Sequence, residues 1–252
     1  MGSSPIVSTT SVLAVPRRDA SDLRWTMAGE VWRRSAELFV EDGWFEHSTW
    51  LGVPVWHLPQ DLVALQQVIV EQRPALIVST GFGGGGTPIF LASVQQLVGL
   101  EPDVVVIDGS PSVADWALAD HPLGAKVEVI AGRAPDPAVL ELVDRRVSGA
   151  GGSVLVVLGS SPTRADVQVE LDALARFVPV GGWLVVFGGS MQWVAAAGLH
   201  HPRVPAAWNW ATDNALVATE KFVARSDEFE VHDLGAQLGA TFAPKGYLRR
   251  VK

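Results

Sequence analysis

Between residues 75 and 187, short apolar runs rich in β-branched residues alternate with stretches of helical spacing, and few folds satisfy that alternation. The runs Ala75–Val78, Val104–Ile107, Val127–Ile130, Val154–Leu158 and Trp183–Phe187 have the length and composition of strands buried on both faces. Helices are expected between and before them. Leu62–Gln72 carries Leu62, Leu65, Val68 and Ile69 on one face, opened by Asp61 after Pro59 and stopped before Pro74. Further helices are expected at Ile89–Val98, Ser112–Leu118, Pro137–Val147 and Arg164–Phe177. Strand, helix, strand repeated in this way predicts an α/β, Rossmann-like, doubly wound, mostly parallel sheet with right-handed crossovers. A helix around Asp213–Ala224 and two short β-like runs, Phe229–His232 and Tyr247–Val251, predict a closing antiparallel hairpin.

The remaining chain sets the domain expectation. Residues 1–21 are rich in Ser, Thr and Pro without a period and read as a flexible arm. Residues 22–252 read as a single domain, in which 22–60 supply an N-terminal cap helix (Leu23, Met27, Val31, Ala36, Leu38, Phe39) and a lead-in, and 61–252 the core. Cysteine is absent from all 252 residues, which excludes disulfides, thiolate-bound metals and a thiol nucleophile. The net charge is −8 with scattered basic residues, so a nucleic-acid partner is not expected. Neither a membrane-length apolar run nor signal-peptide order is present, and a cytoplasmic protein without a membrane partner is expected. Ten tryptophans accompany one tyrosine; they either fill the core or line a pocket for a large apolar small molecule.

Two features point to a nucleotide-like ligand. Ser79-Thr80-Gly81-Phe82-Gly83-Gly84-Gly85-Gly86 follows the first strand of the alternation and precedes a helix. Backbone without Cβ atoms can approach a ligand there, and the helix start offers free N–H groups. Asp108 ends the next strand, where such folds place the carboxylate that accepts ribose hydroxyls. Thr80, Gly81, Phe82, Gly83, Gly84 and Asp108 are therefore the expected cofactor-binding residues. Catalytic candidates are His200 and His201, whose imidazoles titrate near neutrality, together with Asp213 and Gln192. Ser160, Ser190, Trp193, Trp208, Trp210 and Asn214 are candidate pocket residues at the carboxyl ends of the strands or in the Trp-rich segment after the fifth of them. Asp213-Asn214 also reads as a helix cap, and Tyr247 as structural.

Beyond these local signals, several segments in order resemble the cephalosporin hydroxylase family, which includes rhamnosyl O-methyltransferase-like proteins. They are Thr49-Trp50-Leu51-Gly52-Val53-Pro54, Pro59-Gln60-Asp61-Leu62, Arg73-Pro74-Ala75-Leu76-Ile77-Val78, Ile107-Asp108, His121-Pro122, Asp166-Val167 with Glu170-Leu171, Pro179-Val180-Gly181-Gly182, and Pro244-Lys245-Gly246-Tyr247-Leu248-Arg249-Arg250. The resemblance implies a fold of S-adenosylmethionine (SAM) methyltransferase type, SAM or S-adenosylhomocysteine (SAH) as cofactor, a homo-oligomer and, in many members, a divalent metal. The chain departs from the family where that metal would be held. Ser79-Thr80-Gly81 stands for Glu-Thr-Gly, Gly159-Ser160 for Asp-Ser, and Phe187-Gly188 for Glu-Asp. Hard divalent cations need oxygen ligands, so no metal is expected. Arg133 stands where the family-type fold puts an acid or small polar residue near adenine, which would weaken adenosine binding. Glycines at 159, 188 and 189 would leave space for an apolar, Trp-lined cavity.

These departures favour a metal-independent, non-methylating tailoring enzyme of natural-product type, catalysing a cyclisation, isomerisation, dehydration or pericyclic step largely by positioning. A metal-independent SAM-dependent O-methyltransferase is the alternative, supported by the glycine loop and Asp108. An inactive partner of an active homologue is the third.

Overall fold

The computed structural model describes residues 34, 38, 47–110, 118–160, 163–196, 208–232 and 234–252. The arm expected over 1–21, the cap helix over 22–42 apart from Arg34 and Leu38, the helix over 112–117, and His200 and His201 lie outside the described residues.

Seven strands form one sheet in the order β5-β4-β3-β6-β7-β9-β8. These are β3 (Leu76–Thr80), β4 (Val104–Asp108), β5 (Val127–Ala131), β6 (Val154–Leu158), β7 (Trp183–Val186), β8 (Phe229–Val231) and β9 (Tyr247–Arg250). β3 to β7 pair in parallel, and β9 lies antiparallel to both β7 and β8. The sheet therefore reverses between β3 and β6, the position at which open α/β sheets bind ligands. Before it, β1 (Thr49–Trp50) and β2 (Val53–Pro54) make a small antiparallel pair.

Period-two side-chain alternation assigns each strand residue to a face. Ile77, Val104, Val106, Leu155, Val157, Trp183, Val185 and Tyr247 enter one core, over which α1 (Pro59–Gln72) and α2 (Gly86–Leu97) pack. Leu76, Val78, Val105, Ile107, Val154, Val156, Leu184, Val186 and Leu248 enter the other, covered by α3 (Pro137–Gly149), α4 (Arg164–Leu174) and α6 (Ala215–Arg225). The short helices α5 (Met191–Ala196) and α7 (Leu234–Gln237) complete the described α-helices.

Three expected boundaries move, each for a local reason. Helix α1 starts at Pro59 rather than after Asp61, because proline is pre-set for the first helical position and Leu58 is already extended. Asp61 is fully buried, and its carboxylate accepts from Thr241 Oγ1 and from the Phe242 N–H at 2.8 Å. Helix α4 ends at Leu174, and its last turn tightens to a 3₁₀ turn over Ala175–Phe177. Helix α6 is capped by Asn214, whose side chain accepts from the Val217 N–H at 3.1 Å, and not by Asp213. Among the described residues no helix is long and apolar enough to cross a membrane.

Candidate functional site

The glycine-rich segment joins β3 to α2 by a turn that only glycine permits at two places. Gly81 has φ +79°, and a Cβ there would lie 2.5 Å from the Ser160 Cα. A Cβ at Gly84 would lie 2.6 Å from the Pro54 carbonyl oxygen. The segment is thus held close to the end of β6 on one side and to β2 on the other. It is also tied to the neighbouring strand, because the Phe82 N–H donates to Asp108 Oδ2 at 2.7 Å. Asp108 Oδ1 accepts from the Ser110 N–H at 2.7 Å, so the acid ending β4 is fixed in orientation by two backbone donors.

Beside Asp108 lies a cavity of about 230 Å³ whose walls include Ile107, Gly109, Gly132, Arg133, Ser160 and Glu170. It opens where β4, β5 and β6 end, next to the topological reversal. Arg133 does reach this cavity, but its guanidinium pairs with Asp166 at the start of α4, so its charge is compensated. The floor is polar and fully paired. Thr80 Oγ1 donates to Glu170 Oε2 at 2.9 Å and accepts from the Gly159 N–H at 3.1 Å, and Ser160 Oγ donates to the other Glu170 oxygen. Burial pushes the Glu170 carboxyl above its ordinary range, against the hydrogen bonds from Ser160 and Thr80.

The remaining expected residues fall elsewhere. Both Asp213 oxygens are engaged, one by the Arg164 N–H at 2.9 Å and one by Trp208 Nε1 at 3.0 Å, which makes it a brace between α4 and the Trp segment. Asn214 is buried and donates to the Trp210 carbonyl at 2.7 Å. Trp208 and Trp210 meet edge to face at 5.5 Å, and with Trp193 they pack on the core under the sheet. Gln192 and Trp193 lie half-buried on α5. Nor does the glycine pair after β7 open the expected Trp-lined space. A Cβ at Gly189 would meet Pro244 at 3.1 Å and Leu216 at 3.3 Å, and the Phe187 ring is buried against His57.

His57 is the residue that sequence reasoning missed. Its ring centroid lies 4.3 Å from that of Phe187, and burial lowers its pKa to about 4. His57 Nδ1, Gln60 Oε1 and Ser190 Oγ are each buried without a hydrogen-bond partner among the described residues. A single histidine between Trp56 and Leu58 carries no periodic signal. The one clue lay in its position just ahead of the Pro59-Gln60-Asp61-Leu62 segment.

A seven-stranded sheet with this order, a glycine turn after β3 and an acid ending β4 define a Rossmann-like fold of SAM methyltransferase type. The family model described as Rhamnosyl O-methyltransferase/CmcI matches residues 42–251, and the chain belongs to that family. The rhamnosyl O-methyltransferase of Mycobacterium tuberculosis (strain ATCC 25618 / H37Rv) is 25% identical over 208 residues, covering 81% of this chain and 78% of the relative. That of Mycobacterium leprae (strain TN) is 25% identical over 207 residues, covering 81% and 83%. Among solved structures, CmcI with Mg and SAM superposes with a TM-score of 0.59 at 16% identity, covering 82% of this chain and 78% of that one. This last likeness concerns the fold alone.

The two groups bound in that CmcI structure fare differently here. The glycine turn, Asp108 and the adjoining cavity fit an adenosine-bearing cofactor. The side chains at Ser79, Gly159, Phe187 and Gly188 include no carboxylate, and among the described residues no cluster of three or more His, Cys, Asp or Glu could hold a metal. This donor set does not fit a hard divalent cation.

Proposed function

We propose that the chain is a SAM-dependent O-methyltransferase that works without a divalent metal, on a hydroxyl group of a glycosylated small molecule. The observation that carries this reading is Asp108, held by the Phe82 and Ser110 N–H groups between Ile107 and Gly109, two residues that line the 230 Å³ cavity. Its carboxylate keeps lone pairs for two ribose hydroxyls. Gly81 to Gly84 would let the cofactor's amino-acid portion lie against backbone, while Arg133 and Asp166, mutually neutralised, would border the base. When bound, SAM offers a sulfonium methyl group to an attacking oxygen. The names of the mycobacterial relatives support a sugar hydroxyl as the acceptor.

The non-methylating reading has less support, because the relatives are named as O-methyltransferases and Gly189 opens no space, lying close to Pro244 and Leu216. Calorimetric titration with SAH tests the proposal: saturable binding in the wild type, lost in Asp108→Ala, is expected. An absence of binding would instead favour the inactive-partner reading.

A further inference from the structure

His57 lies in the lead-in to α1, between a residue that reaches the glycine loop and the ring that follows β7. The chain enters α1 along the carboxyl edge of the sheet, with the Pro54 carbonyl against Gly84 and Gly86. The Trp56 ring follows, 3.8 Å from where a Gly83 Cβ would lie, and the next residue, His57, packs on Phe187 at the end of β7. Adjacent residues thus touch the glycine loop and the position at which the family carries an acid of its metal pair. The second observation is chemical. Nδ1 of His57 is buried with no partner among the described residues, as is Ser190 Oγ just beyond Phe187. Buried polar atoms are nearly always paired, so an unpaired imidazole edge one residue from the glycine-loop contact leaves a hydrogen bond for a polar group of the substrate to complete.

Resting on the O-methyltransferase reading, we propose that His57 is the general base of the reaction and takes the acceptor's proton in a site that lacks the metal. An acceptor oxygen lone pair forms the O–CH₃ bond while the S–CH₃ bond breaks with its electron pair left on sulfur. The hydroxyl proton passes to the lone pair of the His57 ring and leaves to water on product release. The sum is alcohol plus SAM giving methyl ether, SAH and one proton. Burial keeps the ring neutral at physiological pH, so its lone pair is available. Positive charge developing on the acceptor oxygen in the transition state acidifies its proton enough for a ring of lowered pKa to take it.

The test uses the full chain with SAH, SAM and p-nitrophenyl α-L-rhamnoside. His57→Gln should bind SAH within about two-fold of wild type yet lose at least about 100-fold in kcat, with a much smaller change in KM for the glycoside. In ¹⁵N-histidine spectra of the SAH complex, the His57 ring signal should shift when the glycoside is added. A His57→Gln enzyme with intact SAH binding and kcat within about three-fold of wild type overturns the proposal and leaves the O-methyltransferase reading standing. An unmoved ring signal at saturating glycoside overturns it too, whether or not turnover is seen. Failure of the wild type to bind SAH overturns both readings. Should His57→Gln not fold, His57→Ala is assayed with added imidazole: restored turnover supports the proposal, and none overturns it.

Discussion

Gln72, the last residue of α1, ties that helix to the beginnings of two strands through one amide. Its Nε2 donates to the Val154 carbonyl at 2.7 Å and to Ser153 Oγ at 2.9 Å, and its Oε1 accepts from the Trp183 N–H at 2.9 Å. Gln72→Ala leaves a strand donor and acceptor short of partners and should cost about 1–3 kcal/mol, read as a lower urea midpoint with an unchanged m-value. At Gly81 the cost comes from the backbone. Gly81→Ala should lose about 1–3 kcal/mol from the left-handed φ alone, and the clash with Ser160 should also displace the loop and weaken SAH binding in calorimetry. Two buried titratable groups near the start of α1 act in opposite directions on stability. Burial lowers His57 to about 4 from 6.5, so the unfolded chain binds more protons between those values and stability rises with pH across them. Burial raises Asp61 to about 7 from 3.8, outweighing its hydrogen bonds, so the folded chain binds more protons and stability falls as pH rises through that window. Removing either exposes the other. Asp61→Asn should become more stable from pH 4 to 6.5 and His57→Gln less stable from pH 4 to 7, each by about 3 kcal/mol, in denaturation series over pH.

At the scale of elements, strand interiors were legible to within a residue or two because in the central strands, such as β6 and β7, both flanking cores select apolar side chains at every position. Helix starts were less so. Asp213 and Asn214 are both chemically able to cap α6, and sequence offers no ground for choosing. Burial chooses: the capping side chain must also donate to the Trp210 carbonyl, which an amide does and a carboxylate cannot. Asn214→Ala should therefore cost about 1 kcal/mol in thermal denaturation, and Asn214→Asp at least as much, since it forfeits the donor and buries a charge. Asp61 misled for the converse reason. An acidic residue in a first helical turn is a common start signal, yet here that turn faces the core and the carboxylate serves the backbone near Phe242.

For the whole molecule, stability rests on the two cores that sandwich the sheet, and ligand binding should be felt through it. Leu155, fully buried on β6, should cost about 2–5 kcal/mol when changed to Ala. SAH at 100 times its Kd should add about 2.7 kcal/mol, a rise in Tm of several degrees that Asp108→Ala abolishes. The chain's own order of apolar runs, glycine turn and strand-ending acid was enough to determine the fold class and to bring the glycine turn and Asp108 together at one edge, since these signals are local: a two-residue or 3.6-residue period, and a turn that only glycine can make. It also disclosed the missing carboxylates at 159, 187 and 188, because identity at a position is itself sequence. Which polar atoms meet was decided only in three dimensions. Asp61 finds Thr241 across 180 residues and Glu170 finds Thr80 across 90, while His57 comes to rest on Phe187 beside the glycine loop. No periodicity encodes such pairings, because they arise from the packing of α1 and α4 onto opposite faces of the sheet and from the return of the C-terminal segment to α1.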